Sequence, residues 1–331
     1  MTDAILEPIV TPEEIQIDVT LRPKSLSDFV GQPRLKKSLE LALSAAKKRG
    51  EAIDHVLLYG PPGLGKTTLA HIIASMQGGS IHVTTGPALT RAGDLAALLT
   101  NLEEGDVLFI DEIHRLNKVV EETLYSGMED RRLDLVLGKG PAARTVSVDL
   151  KAFTLVGATT RYGALSSPLR SRFGIINKLE YYSVADLSNV LTRSSTILKI
   201  TLESGAVDSL ASRSRGTPRI ANRLLRRARD TAEINYHGHL SKAAVEETVK
   251  LLEIDELGLD ASDRELLTHI IMHHRGGPVG LETLASALSE DSGTIEEVYE
   301  PYLIQQGLLS RTKGGRIVTD LAYKHLGLAK K

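Results

Sequence analysis

The chain has 331 residues, of which 42% are hydrophobic and 25% are charged, and its formal net charge is −2. This length predicts two or three domains. The near-neutral charge excludes a uniformly basic nucleic-acid binder, so any such binding must come from local patches. No run of about 18 apolar residues is present, which excludes a membrane-spanning helix. The absence of cysteine excludes disulfides and cysteine-bound zinc. Together with an N-terminus that lacks a signal-peptide pattern, it favours a cytoplasmic location.

The first two regions of the chain differ in their hydrophobic pattern. Residues 1–19 are polar and acidic with two prolines, and they are predicted to form a flexible arm. From residue 20 to residue 182, short apolar runs alternate with helical patterns, which predicts an α/β fold with a parallel sheet covered by helices. The candidate strands of this sheet are 55–59, 81–84, 106–110, 153–158 and 177–182.

The first candidate strand runs directly into the pattern G-x-x-x-x-G-K-T at 60–67, and a helical pattern follows it. Glycines in such a loop let the backbone turn tightly and bring its N–H groups to phosphate oxygens. Lys66 would place a positive charge near the β- and γ-phosphates, and the Thr67 hydroxyl would ligate Mg²⁺. A glycine- and proline-rich turn is the alternative, but strand, loop and helix stand in the order that a phosphate-binding loop requires. The motif predicts binding of a nucleoside triphosphate.

The third candidate strand ends in two carboxylates, Asp111 and Glu112. Phosphoryl transfer needs an acid that holds the metal, and Asp111 is predicted to hold Mg²⁺ through water. Glu112 lies beyond the strand end, where ligands bind on open α/β sheets, and would orient and polarise the attacking water. An isolated acidic pair would more often be a solvated strand end, but the phosphate loop upstream favours the hydrolytic interpretation.

A β-hairpin is predicted for residues 132–140 and 144–148. The apolar side chains on its first strand are Leu133, Leu135 and Leu137. These side chains could simply pack in the interior of the domain.

The segment after the fourth candidate strand offers two further polar groups. Thr160 would hydrogen-bond the γ-phosphate or the attacking water, although a turn at the strand end explains this hydroxyl equally well. Ser167–Gly174 then places Arg170 and Arg172 at the end of a short helix. An arginine supplied across a subunit boundary would accelerate hydrolysis about 10³–10⁵-fold. A surface salt bridge would contribute only about 0–1 kcal/mol, and spacing alone leaves both interpretations open.

Amphipathic helical patterns alone occupy residues 183–255 and predict a small helical domain. Seven arginines and no acid lie between Arg213 and Arg229. Three- and four-residue spacing places some of them on one helical face, which a solvated basic surface also explains. Pro218, at the predicted helix start, presets a rigid geometry for the next residue. The arginines on this face are Arg219, Arg223, Arg226 and Arg227.

The last region, 256–331, combines helical patterns with a hairpin-like segment around residues 313–315, an arrangement typical of a winged helix. Its first part is acidic, whereas from residue 311 onward six basic residues stand against the single acid Asp320. A basic hairpin tip suits phosphates or a groove, since base stacking needs interleaved aromatic side chains. Arg311 and Arg316 are predicted to contact DNA.

Taken together, the phosphate loop, the Asp-Glu-Ile-His box, the threonine-ended strand and the Ser-Arg-Phe segment resemble the AAA+ ATPases. Further motifs are similar to those of the RuvB family, the bacterial motors that drive branch migration of Holliday junctions. The likeness covers about residues 20–320. Its motifs are Leu-Arg-Pro at 21–23, Phe-Val-Gly-Gln at 29–32, Gly-Asp-Leu-Ala at 93–96, Gly-Pro-Ala-Ala-Arg at 140–144, Arg-Gly-Thr-Pro-Arg at 215–219 and Glu-Pro-Tyr-Leu-Ile-Gln-Gln-Gly at 300–307.

The resemblance implies a large AAA+ domain at 20–182, a small helical domain at 183–255 and a winged-helix, DNA-binding head at 256–331. It makes Asp111 and Glu112 the hydrolytic acids, Thr160 sensor 1, and Arg172 the finger that reaches a neighbouring subunit's ATP. Thr67 and Asp111 would hold Mg²⁺. The residues that it implies for ATP binding are Leu21, Arg22, Gly63, Gly65, Lys66, Thr67, Thr68, Glu129, Asp130, Arg131, Arg172, Tyr182 and, as sensor 2, Arg219.

A finger supplied across a subunit boundary requires a ring, and the resemblance implies a homohexamer. It also implies a complex with RuvA on double-stranded DNA at four-way junctions and a connection to the nuclease RuvC, in recombination and DNA repair. In the family, a hairpin at 132–148 contacts RuvA, which makes Leu133, Leu135 and Leu137 candidates for that contact.

Two other functions compete with an ATP-driven DNA translocase. A protein unfoldase would carry an aromatic residue in the pore loop after its second strand, and residues 84–91 contain none. A nucleotide switch or clamp-loader-like factor would not need both Glu112 and Arg172, and the motor subunits of bacterial clamp loaders have a zinc module that this cysteine-free chain lacks. Slow hydrolysis that DNA leaves unchanged would favour the second alternative.

Overall fold

In the computed structural model, which describes residues 19–137 and 144–330, contacts divide the chain into two units. The first, here the sheet unit, comprises Arg22–Gly60 and Leu64–Glu180. The second, here the helical unit, includes Leu21, Pro61–Gly63 and the chain from Tyr181 onward. No helix among the described residues is long and apolar enough to cross a membrane.

The strands of the sheet unit are β1 Val56–Tyr59, β2 Ile81–Thr85, β3 Val107–Asp111, β4 Arg132–Leu137, β5 Arg144–Asp149, β6 Thr154–Thr159 and β7 Ile175–Lys178. Five of them form a parallel sheet in the order β2-β3-β6-β1-β7. The three central strands are almost wholly buried, which explains their continuous apolar sequences, because helices cover both faces of such a sheet. The antiparallel pair β4 and β5 confirms the predicted hairpin.

Five helices accompany this sheet, and their ends carry the expected signals. Asn117, for example, caps one of them by accepting a hydrogen bond from the Val120 N–H at 3.0 Å. Leu133 of β4 is fully buried in a cluster with these helices, so it packs in the core of its own unit. The helices are Pro33–Arg49, Lys66–Gln77, Ala92–Thr100, Lys118–Glu129 and Ser167–Ser171.

The predicted strand at 177–182 was placed too late in the chain. The strand observed is β7, which ends at Lys178. Tyr182 gave the segment its strand-like pattern, but its N–H donates to the Gly216 carbonyl at 2.9 Å within the helical unit. Its apolar character reflects packing there and not in the sheet.

The helical unit begins with four helices and continues with helices and a two-stranded hairpin. The strands β8 (Leu309–Thr312) and β9 (Gly315–Val318) pair antiparallel, and a bridge from Val279 to Arg316 extends this small sheet, as expected of a winged helix. The elements are Val184–Ile197, Ser204–Ser212, Pro218–Asn235, Lys242–Leu251, Ala261–His274, Leu281–Leu288, Ser292–Thr294, Glu300–Gln305, β8 Leu309–Thr312, β9 Gly315–Val318 and Asp320–His325.

Residues 294–306 have the apolar spacing of a single helix, but the structure interrupts it. Ile295–Tyr299 forms a π-helical turn between the short helices Ser292–Thr294 and Glu300–Gln305. Pro301 lies at the start of the last of these, and it has no N–H to donate to the preceding turn. The π-helical turn accommodates the missing N–H of the proline through wider backbone hydrogen bonding, and the spacing of apolar residues in the sequence does not reveal such a turn.

Candidate active site

The phosphate loop follows β1 and leads into the helix Lys66–Gln77. Gly60 has a φ of +142°, and a Cβ there would lie 2.5 Å from the Leu179 carbonyl oxygen. Gly65 has a φ of +97°, and a Cβ there would lie 3.0 Å from the Phe29 ring. Larger residues would therefore distort the loop at both positions. The Lys66 ammonium is nearly buried and donates to the Gly60 carbonyl at 2.8 Å, so a backbone carbonyl of the loop fixes the position of the lysine charge.

The sheet order brings the candidate acids to the loop. β3 and β1 both pair with β6, so the carboxyl ends of these three strands meet at one edge of the sheet. Asp111 ends β3, and its Oδ1 accepts the Glu112 N–H at 3.0 Å. Thr160 directly follows β6. This edge thus combines a phosphate loop, two carboxylates and a hydroxyl, the groups that phosphoryl transfer uses.

Two donors hold the Glu112 carboxylate. The Thr160 hydroxyl donates to Oε2 at 3.2 Å, and Nδ1 of His114 lies 3.2 Å from the same oxygen. Burial raises the pKa of Glu112, but the hydrogen bond and charge of His114, the charge of Lys66 and the Thr160 hydroxyl outweigh it and hold the pKa below its ordinary value. Glu112 is therefore ionised at neutral pH, as a group that polarises water must be.

Arg172, the predicted finger, lies at the end of the helix Ser167–Ser171 in the sheet unit. Its guanidinium donates to the Pro168 carbonyl and to Oε2 of Glu129, both at 2.8 Å. The guanidinium carbon lies 4.3 Å from the centre of the Tyr125 ring, which is cation–π geometry. These contacts hold Arg172 in one orientation.

Other predicted nucleotide contacts of the sheet unit lie close to these elements. Glu129 ends the helix Lys118–Glu129, Asp130 is its C-terminal cap, and Arg131 has a φ of +50°. A guanidinium N of Arg22 lies 3.1 Å from Nε2 of His71. Because a guanidinium only donates, Nε2 of His71 is the acceptor.

Four of the predicted contacts belong to the helical unit. The Arg219 N–H donates to the Gly63 carbonyl at 3.4 Å, and a Cβ on Gly63 would lie 3.2 Å from the Arg219 Cβ. Arg219 thus lies next to Gly63 within the helical unit. The Leu21 carbonyl accepts a hydrogen bond from Arg193 at 2.7 Å. Tyr182 is buried, and burial raises its pKa.

The two predicted DNA contacts share one partner. Glu300 is fully buried, and its carboxylate accepts hydrogen bonds from both Arg311 and Arg316. The Arg311 side chain is 43% exposed and also reaches Glu296, whereas the Arg316 side chain is 14% exposed. The two arginines thus face two carboxylates, Glu300 and Glu296, and Arg311 is the more exposed of the two arginines.

The arginine face of the helix Pro218–Asn235 is only partly solvated. Arg226 is buried, although the periodicity placed it on the same face as Arg219. Arg227 is exposed and pairs with Asp230 at 3.0 Å. These two positions therefore differ in environment despite their shared spacing.

Sequence reasoning did not identify two residues that contact the site. His114 holds Glu112, and Tyr125 lies beneath Arg172. Histidine two positions after the second carboxylate is visible in the sequence, but the contact depends on a φ of +46° at Glu112. Tyr125 and Arg172 are on separate elements, and no local pattern links them.

Family models match almost the whole chain. Residues 21–179 match the Holliday junction DNA helicase RuvB P-loop domain. Residues 182–255 match the RuvB AAA lid domain, and residues 256–327 match the RuvB C-terminal winged helix domain.

Solved structures agree with these matches. The Thermotoga maritima RuvB Holliday junction branch migration motor is 55% identical, with a TM-score of 0.87 over 94% of this chain and 99% of that one. Two variants of that protein, in which arginine replaces lysine or alanine replaces arginine, are also 55% identical. Both cover 93% of this chain and 98% of their own, with TM-scores of 0.87 and 0.86.

Proposed function

This chain belongs to the RuvB family of Holliday junction branch migration motors, P-loop ATPases that couple ATP hydrolysis to DNA translocation, and on this basis we propose how its own residues perform that activity. The observation that carries the proposal is the convergence of the phosphate loop, Asp111, Glu112 and Thr160 at one edge of the sheet. We propose that ATP binds there in a homohexameric ring.

Lys66 and the loop amides bind the phosphates, and Gly63, Gly65 and Thr68 shape the loop in this proposal. Thr67 and Asp111 fit Mg²⁺, because a hydroxyl and a carboxylate are hard oxygen donors. The described residues contain no cluster of three or more metal-binding side chains. A nucleotide-site Mg²⁺ needs none, since phosphates and water complete its shell. When bound, Mg²⁺ neutralises charge that develops on the phosphates.

Glu112 polarises the attacking water, and Thr160 reports the γ-phosphate as sensor 1. Arg172 serves the ATP site of a neighbouring subunit, together with the segment Glu129, Asp130 and Arg131. Glu129 and Tyr125 hold the Arg172 guanidinium in the orientation that this role requires. Its positive charge stabilises the charge of the transferring phosphoryl group.

The remaining nucleotide contacts serve the adenine end and the communication between domains. Leu21, Arg22 and Tyr182 contribute to the nucleotide pocket, and Arg219 acts as sensor 2. The contact between Arg219 and Gly63 supports this role, because the helix Pro218–Asn235 begins beside a glycine of the phosphate-loop motif.

In the head, Arg311 and Arg316 contact DNA phosphates, and each neutralised phosphate contributes about −0.9 to the slope of log K against log salt concentration.

The ring acts with RuvA on double-stranded DNA at four-way junctions, supplies RuvC with its substrate, and operates in the cytoplasm. For the hairpin contact with RuvA, Leu133 is excluded by its burial. The side chains of Leu135 and Leu137 lie outside the described residues, as do residues 1–18 of the arm predicted at 1–19.

The decisive experiment is ATP-dependent dissociation of a synthetic four-way junction in the presence of RuvA. We expect dissociation by the native chain and none by Lys66→Ala, because the variant lacks the charge that holds the phosphates. Both proteins should bind the junction equally without nucleotide. ATP hydrolysis that is sound but neither dissociates junctions nor responds to DNA would contradict the proposal and favour a nucleotide switch.

A further inference from the structure

His114 holds the side chain of Glu112, although no proposed nucleotide contact involves this histidine. It lies in the short 3₁₀ turn Ile113–Arg115, immediately after Glu112. Glu112 has a φ of +46°, in the left-handed region that residues other than glycine rarely adopt. The chain therefore reverses at the strand end, and the nearly buried His114 imidazole meets the carboxylate that precedes it. Strained backbone of this kind is common at functional sites.

The imidazole is also fixed to the neighbouring strand. Nδ1 of His114 lies 3.2 Å from Oε2 of Glu112 and 2.9 Å from Oγ1 of Thr159, the last residue of β6. An ionised carboxylate can only accept, so we assign the hydrogen to Nδ1, which shares it between the two oxygens. Oγ1 of the fully buried Thr159 also accepts the Arg161 N–H at 3.0 Å. The histidine therefore connects Glu112 to the sheet.

Both donors to the carboxylate bind the same oxygen. Within the described part of the chain, the hydrogen bond from Thr160 and the ion-pair contact from Nδ1 of His114 both fall on Oε2 of Glu112. Two donors on one oxygen fix the plane of the carboxylate. They leave Oε1 to accept a hydrogen bond from a water molecule.

We propose that His114 is a positioning residue for ATP hydrolysis, which ties Oε2 of Glu112 to β6 and so sets the direction in which Oε1 meets the attacking water. The inference rests on the proposed role of Glu112. His114 does not touch the nucleotide in this arrangement. Its loss should therefore lower kcat and leave the KM for ATP unchanged.

The test compares three substitutions of His114 by steady-state ATP hydrolysis. His114→Ala removes the donor, and kcat should fall about 10²-fold, the cost of misplacing a catalytic group by about 1 Å. His114→Asn should restore most of the rate, because its amide nitrogen occupies the position of Nδ1, two bonds beyond Cβ. His114→Gln should not, because its amide lies one bond further out, at the position of Nε2. A merely structural role would not distinguish Asn from Gln in this order.

His82 supplies a matched control. Its Nε2 lies 3.1 Å from Oδ2 of Asp106, so it forms the same kind of pair at the opposite end of β3. His82→Ala should leave kcat unchanged, and thermal unfolding of every variant reports any loss of folding. Equal rates for His114→Asn and His114→Gln, or an unchanged kcat in all three variants, would overturn the inference.

Glu112→Gln distinguishes the proposed role of Glu112 in hydrolysis from the positioning role of His114. If it is inactive while the His114 variants are normal, only the positioning role fails, whereas an active Glu112→Gln removes the proposed role of Glu112 and the inference with it.

Discussion

At the scale of single residues, Asp106 organises the start of the strand that carries the candidate acids. Its carboxylate accepts the N–H groups of Ser80 at 2.7 Å and Glu103 at 2.9 Å and pairs with His82. Burial raises the pKa of Asp106, but these hydrogen bonds and the His82 charge outweigh it and lower the pKa below the ordinary value of 3.8. Because the anion is favoured in the folded state, its contribution to stability is complete above the unfolded-state pKa. It is lost as the pH falls through the folded-state pKa.

Asp106→Asn should therefore destabilise the chain at neutral pH by about 2 kcal/mol, the value of hydrogen bonds to a charged group. The difference from the native chain should shrink as the pH falls below about 4, where the native carboxyl also becomes protonated. Urea unfolding at a series of pH values measures both quantities. A difference that stays constant from neutral to acidic pH would show that the charge of Asp106 is not the source of the stability.

At the scale of elements, a buried ion pair joins the helix Ala261–His274 to the turn before the helix Pro218–Asn235, both within the helical unit. Arg215 donates to both carboxylate oxygens of Asp263, at 2.7 and 3.3 Å, and its guanidinium carbon lies 4.6 Å from the centre of the Tyr302 ring. Burial raises the pKa of Asp263 to about 7, although the charge of Arg215 opposes this shift. Because desolvation opposes the charged form of a buried carboxyl, the pair holds these elements in one arrangement without adding much net stability.

Asp263→Ala should accordingly destabilise the helical unit by about 3–5 kcal/mol, because it leaves the guanidinium of Arg215 buried without its partner. The double variant Arg215→Met/Asp263→Leu should be more stable than Asp263→Ala, because it removes both charges and fills the space. Urea unfolding of the full chain, followed by far-UV circular dichroism, gives both values. A double variant that is the less stable of the two would mean that the charges themselves contribute the stability.

The sequence predicted the bounds of some helices and strands well, but it did not reveal unusual backbone geometry. The strands β1, β3 and β6 were predictable to within one residue, because buried parallel strands are continuous apolar runs. Their order placed Asp111, Glu112 and the phosphate loop at one edge, as expected from their positions after the strands. The π-helical turn Ile295–Tyr299 and the backbone reversal at Glu112 had no signal, because hydrophobic periodicity does not report unusual dihedral angles. The pair Arg215–Asp263 spans 48 residues, and spacing carries no information about such contacts.

At the scale of the whole molecule, the proposed ring makes each ATP site the product of two chains. Within one chain, the guanidinium of Arg172 binds Pro168 and Glu129 and lies over Tyr125. The carboxylate of Glu112 is held instead by Thr160 and His114. The two groups thus have separate sets of partners, as expected if Arg172 and Glu112 of one chain serve different ATP molecules.

Mixing two inactive variants tests this division. Arg172→Ala keeps Glu112, and Glu112→Gln keeps Arg172, so a mixed ring contains some sites with one intact residue from each chain. With equal amounts and random assembly, about a quarter of the sites should regain hydrolysis, because each site then needs one chain of each kind in the correct order. The measurement is the ATP hydrolysis rate before and after mixing, with the double variant Glu112→Gln/Arg172→Ala replacing either partner as the control. No recovery in rings shown by native mass spectrometry to contain both variants would place Arg172 in its own chain's site, because two damaged copies of a site contained in one chain cannot restore each other.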